Sequence, residues 1–159
     1  MAVAAVCIAG DTRRDSEFMR KWRREQDRHK KLGAQPTPQQ WRSGAVWRFI
    51  TTPPHGKSRA DTLAFRVTDI PANSCLGDAD WKNVWRKFEP IEGGIPNQPA
   101  IYQVEGRALQ INVTGEICDV YDVIGGVLTD GTFEGKRTTS GLGVPSKFVG
   151  TVRGSFVQQ

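Results

Sequence analysis

Histidine is nearly missing from this chain: His29 and His55 are the only two in 159 residues. His29 falls in a basic segment and His55 in the turn-like "TTPPHGKS", so no Ser-His-Asp or Cys-His arrangement can be traced. Both read as surface or loop histidines. No apolar run approaches the ~20 residues that span a bilayer as a helix. There is no CxxC, which removes the common redox and zinc signatures. "IEGGIPNQ" pairs two glycines without a strand-GxGxxG-helix context, and "GDADW" has two aspartates without the later ligands of a calcium loop. Asp119, Asp122 and Asp130 alternate through a strand and its turn rather than converging. The chain is therefore expected to be non-catalytic, with no metal and no cofactor.

A basic surface is also missing. The formal net charge is +5, yet residues 11–33 alone hold nine Lys/Arg against five Asp/Glu. The remainder has 13 basic and 12 acidic groups. A fold made to hold nucleic acid more often spreads its positive charge over the folded surface, so nucleic acid is not expected as the partner.

What is present is one domain's worth of ordinary globular composition, 38% apolar and 25% charged. Of three cysteines, Cys75 and Cys118 both sit among strand-like segments. Two readings stand: a disulfide, closing a loop worth roughly 4 kcal/mol and requiring an oxidising compartment, or two buried thiols in a reduced one. With no metal or redox motif nearby, the disulfide is favoured. The third, Cys7, lies in "MAVAAVCIAG", which is similar to the end of a hydrophobic leader and faintly to a lipoprotein site. Residues 1–13 thus read as a leader remnant or a tail, with a lipid anchor at Cys7 as the weaker alternative.

Residues 14–32, "RDSEFMRKWRREQDRHKKL", form the one strongly helical segment. A polar cap and early acids open it, and late lysines with Gly33 close it. Phe18, Trp22, His29 and Leu32 recur at helical spacing, making a thin apolar stripe on a basic helix. Such a helix suits lying across the strand-rich barrel expected after it, or packing over one of its ends. It also suits docking on a partner through Phe18, Trp22 and Arg23, on a membrane surface, or on nucleic acid. "GAQPTPQQ", residues 33–40, reads as a proline-containing linker.

Everything from residue 41 reads as strands. Segments 45–51, 61–68, 83–91, 100–106, 107–115, 118–129, 132–139 and 147–157 alternate apolar and polar residues or are rich in β-branched and aromatic side chains. Glu105-Gly106 and Asp130-Gly131 mark tight hairpins, "SGLGVPS" (140–146) reads as a loop, and Gly125-Gly126 as a bulge or corner. In the last strand Phe148, Gly150, Val152, Gly154 and Phe156 alternate large with small, as the tapering interior of a small barrel requires. Eight short strands joined by short loops leave sticky edges unless the sheet closes. The expected fold is mainly β: one antiparallel up-and-down barrel preceded by one α-helix.

Residues 41–157, with Gly44 and Trp47 in "SGAVWRF" and Arg153 near the chain end, resemble the lipocalin-like (calycin-type) small barrels. That resemblance implies that Arg153 packs on Trp47. It also implies an exported protein, periplasmic or secreted, that either binds a small apolar molecule inside the barrel or inhibits an enzyme. Five tryptophans fit a filled core with plugged barrel ends as well as an aromatic-lined pocket. The expected inward set is Trp47, Phe65, Leu109, Ile111, Phe148 and Phe156. The leading expectation is therefore a small apolar ligand held by that set. The alternative is a protein partner, an enzyme or toxin, blocked by the loops 53–59, 91–99 and 140–146 or by the helix.

Overall fold

A computed structural model describes residues 12–54, 59–76 and 85–157. The chain divides into two compact units, the first ending at Lys31 and the second running from Leu32. The first holds nearly all of α1 (Thr12–Gly33), with lysines in its last turn where the helix dipole favours them.

The second unit is a barrel of β1 (Val46–Thr52), β2 (Asp61–Pro71), β3 (Arg86–Glu92), β4 (Ile101–Glu105), β5 (Ala108–Asn112), β6 (Val120–Thr129), β7 (Thr132–Gly141) and β8 (Val144–Val157). Each strand pairs antiparallel with the next, and β8 returns to β1 from Val46↔Val157 to Thr52↔Thr151. Closure leaves no exposed sheet edge along β1. The odd-to-even connections, β1–β2, β3–β4, β5–β6 and β7–β8, all lie at one end, called here the far end. Chain entry into β1, exit from β8 and the remaining turns lie at the entry end.

Inward positions follow from strand parity. Trp47 and Phe49 of β1, Leu63, Phe65 and Val67 of β2, Phe88, Tyr102, Leu109, Ile111, Ile124, Leu128, Phe133 and Val152 form one buried cluster. Its aromatic rings touch in sequence: Phe65 stacks on Phe88 at 4.8 Å, Phe88 on Tyr102 at 4.5 Å, and Phe49 meets Phe133 edge-on at 5.5 Å. Trp41 closes the entry end by packing on Trp47, Phe88 and Tyr102, while Trp47 Nε1 donates to the Gln40 carbonyl at 3.1 Å. The segment expected as a linker thus runs straight into a plug, with Pro38 buried and turns at Pro38–Trp41 and Arg42–Ala45.

Gly125-Gly126 makes no bulge; β6 and β7 stay in continuous register from Val120↔Gly141 to Thr129↔Thr132. Gly126 and Gly135 instead face each other across the ladder beneath the Phe133 ring. A Cβ on Gly126 would stand 2.2 Å from the Glu134 carbonyl oxygen and 2.7 Å from that ring. Register shifts lie elsewhere, between β2 and β3 and between β7 and β8, where Arg137 pairs with Gly150 but Thr138 pairs with Phe148. The extra residue reverses the alternation. Phe148 is therefore on the outer face and 43% exposed, correcting the expectation that it points inward. The loop expected over 140–146 is largely strand, reduced to a two-residue turn at Leu142-Gly143 between Gly141 and Val144.

Candidate functional site

The two ends of the barrel differ in chemistry. At the entry end Tyr102 is buried and donates its hydroxyl to the Thr68 carbonyl at 2.7 Å. Burial pushes its pKa up to about 12, with Arg86 nearby opposing that rise. A cleft of about 490 Å³ opens where β1 enters and β8 leaves, walled in part by Arg42, Ser43, Gly44 and Phe156.

Just inside the far end sits an ion network. The Arg137 guanidinium points inward and donates to both Asp122 carboxylate oxygens, from Nε at 2.8 Å and Nη2 at 2.6 Å. Its Nη1 reaches Asp61 and lies 3.4 Å from the Thr51 hydroxyl. Four strands, β1, β2, β6 and β7, are joined through one side chain. The Asp122 hydrogen bonds raise the Arg137 pKa against the opposing effect of burial, so it stays charged throughout the working range of pH. The planar fork of arginine suits a bidentate carboxylate, which lysine would not match.

Around this closed mouth stand exposed apolar side chains: Ile95 in the β3–β4 connection, Ile117 in β5–β6, Val120 opening β6, Leu142 at the β7–β8 turn and Val144 opening β8. Leu142 is 83% exposed and Val144 63%. Val120, Gly141 and Val144 are paired neighbours across three strands, so the patch is contiguous there. Of the three loops anticipated for partner binding, all belong to this end, although residues 55–58 of the first lie outside the described residues.

Cys75 and Cys118 form a disulfide with Cα atoms 5.4 Å apart. The first residues of β3 pair with the first of β4, Arg86↔Tyr102 and Lys87↔Ile101 being the only registered pairs of that seam, so the strands are staggered there and the β2–β3 connection comes level with the β5–β6 connection, to which the bond ties it. Glu116 reinforces the clip by accepting from the Asn73 amide at 2.9 Å and from Lys87 Nζ at 3.3 Å. These two bonds, the Asn73 amide first, hold its carboxyl below the ordinary carboxylate pKa. The start of the β5–β6 connection is fixed by side chains as well: buried Asn112 donates to the Gly115 carbonyl at 2.9 Å, and the Thr114 hydroxyl lies 2.8 Å from both Asn112 Oδ1 and the Val120 carbonyl.

Of the inward set, Trp47, Phe65, Leu109 and Ile111 are fully buried in the cluster and Phe156 packs against it. Phe148 does not join them. Arg153 pairs with outward-facing Ile50 and is itself exposed, so it and Trp47 lie on opposite faces of the sheet. Trp22 and Arg23 are exposed on α1. The Phe18 side chain, Cys7, His55, Asp78 and Asp80 lie outside the described residues. Among the described residues no three His, Cys, Asp or Glu side chains gather as a metal site, and no helix is long and apolar enough to cross a membrane. The network at Arg137 was missed in sequence because it joins positions far apart in the chain; its local signal was an arginine on the inward parity of β7.

No family model, curated protein or solved structure matches this chain.

Proposed function

We propose that this is a non-catalytic, exported interaction protein: a lipocalin-like barrel used as a rigid frame that presents its far-end rim to a protein partner. The observation that carries this reading is where apolar surface lies. Eight rings, Trp41, Trp47, Phe49, Phe65, Phe88, Tyr102, Phe133 and Phe156, are in mutual contact inside. A small apolar ligand in the barrel must displace one of them, forfeiting about 0.5–1.5 kcal/mol per ring pair beyond the area lost. The rim, by contrast, offers Ile95, Ile117, Val120, Leu142 and Val144 already exposed, and such patches mark contact surfaces. The disulfide accords with export.

The test compares the wild-type protein with Leu142→Asp/Val144→Asp, which touches no buried side chain. Both are immobilised and offered secreted or periplasmic extract of the native host. A partner retained by the wild type and lost from the variant, at unchanged melting temperature, is the expected result. Equal retention by both overturns the rim. Saturable binding of an apolar fluorescent dye that quenches buried tryptophan and survives the double substitution returns the function to the interior.

A further inference from the structure

We infer that α1 is an interfacial anchor that docks the protein on an anionic lipid surface. The rim reading plays no part in this and can fail without it. Thr12–Gly33 carries nine basic and four acidic residues, leaving 13 of each sign elsewhere, so the whole net charge of +5 resides on the helix. At 3.6 residues per turn, Met19, Trp22, Gln26 and His29 fall on one side, within a sector of about 80°. Lys21, Arg24 and Arg28 border that sector on one flank, Arg23 and Lys30 on the other. Glu25, at its edge, is four residues after Lys21, the spacing at which opposite charges neighbour each other on a helix.

Trp22 is 49% exposed and Met19 43%, so the large apolar groups of the stripe already face solvent. Basic flanks on both sides of a sector led by Met19 and Trp22, with uncharged Gln26 between Trp22 and His29, suit a bilayer interface. The stripe sinks among acyl chains and headgroup carbonyls, the long Lys and Arg stems extend sideways to lipid phosphates, and tryptophan favours that depth. Charge complementarity selects an anionic surface, at about one favourable kcal/mol for each Lys or Arg near it. A nucleic acid would use the same charges but has no use for exposed Met19 flanked by basic side chains, which is why lipid is favoured here.

The experiment is vesicle co-sedimentation of the full chain at about 0.15 M salt. One vesicle set is phosphatidylcholine alone, the other phosphatidylcholine with about 30 mol% phosphatidylglycerol. Binding is expected only to the anionic vesicles, with a blue shift of tryptophan emission that disappears in Trp22→Phe. Trp22→Ala and, separately, Arg23→Glu/Arg24→Glu/Arg28→Glu should each weaken binding about tenfold or more. The barrel's melting temperature and thiol count serve as the check that both variants fold. No binding to anionic vesicles overturns the proposal. So does binding that Trp22→Ala leaves intact, or tighter retention of a single-stranded oligonucleotide than of anionic vesicles.

Discussion

Arg137 shows at the scale of a single residue how the far end is closed. Truncating it to alanine leaves Asp122, which is largely buried, without its bidentate partner, while half-exposed Asp61 is rescued by water. We expect Arg137→Ala to destabilise the barrel by about 2–3 kcal/mol in urea unfolding, and Arg137→Leu/Asp122→Leu to recover much of that, because an apolar pair leaves no stranded charge. Tyr102 sets an alkaline limit. Its proton is held to about pH 12 in the folded protein but only to about 10 in the unfolded chain, so its contribution is intact below 10 and is lost as pH rises from 10 to 12. The expected fall is about 2–3 kcal/mol, followed by denaturant midpoints over that range and abolished in Tyr102→Phe. Glu116 acts with the opposite sign. Its lowered pKa gives stability present above the ordinary carboxylate range and lost as pH falls through the folded value.

Among the elements, β6 carries two adjacent glycines with contrary roles. Gly126 faces the interior under the Phe133 ring, whereas a Cβ on Gly125 meets nothing within 4 Å. Gly126→Ala should cost about 1–3 kcal/mol through overpacking. Gly125→Ala should be neutral or stabilise by about 0.4–1 kcal/mol by restricting the unfolded chain. Paired thermal melts decide it. The sequence announces both glycines but not which one matters, since that depends on parity. Parity was readable in β2 and β5, where Leu63, Phe65 and Val67, or Leu109 and Ile111, alternate without interruption. It failed in β8 because the large–small alternation continues formally through Phe148, while the unpaired residue beside it turns that ring outward. Pairing partners, which place the bulge, are a property of β7 as well. A tryptophan plug was legible in the composition, and Trp41 supplies it; the route to it was not, because prolines at 36 and 38 signal a break in the helix, not where the broken chain goes next.

For the molecule as a whole, strength is uneven around the barrel. The β3–β4 seam has two registered pairs, against ten between β6 and β7, and the Cys75–Cys118 bond compensates from outside. Reduction, or Cys75→Ser/Cys118→Ser, should lower stability by up to about 4 kcal/mol. Amide exchange should accelerate first along β3 and β4, as seen by hydrogen–deuterium mass spectrometry, while β6–β8 stays protected. Loss of protection spread evenly over all strands would show that the bond constrains the unfolded chain alone. Eight strands, closure and the favoured disulfide were legible from turn glycines and cysteine positions. The ion network and the uneven seam arise from contacts between distant strands that no local pattern records.

The meander order also dictates a sequence of events in time. Every strand pairing except one joins neighbours along the chain and can form by zipping outward from a local turn or connection. The exception, β1 with β8, must bring Val46 to Val157 and bears the largest loop-closure entropy. We therefore expect a curled, seven-seam sheet to precede the finished barrel, with the emission of Trp47, whose ring meets Phe156 only once β8 arrives, reporting the last and slowest step.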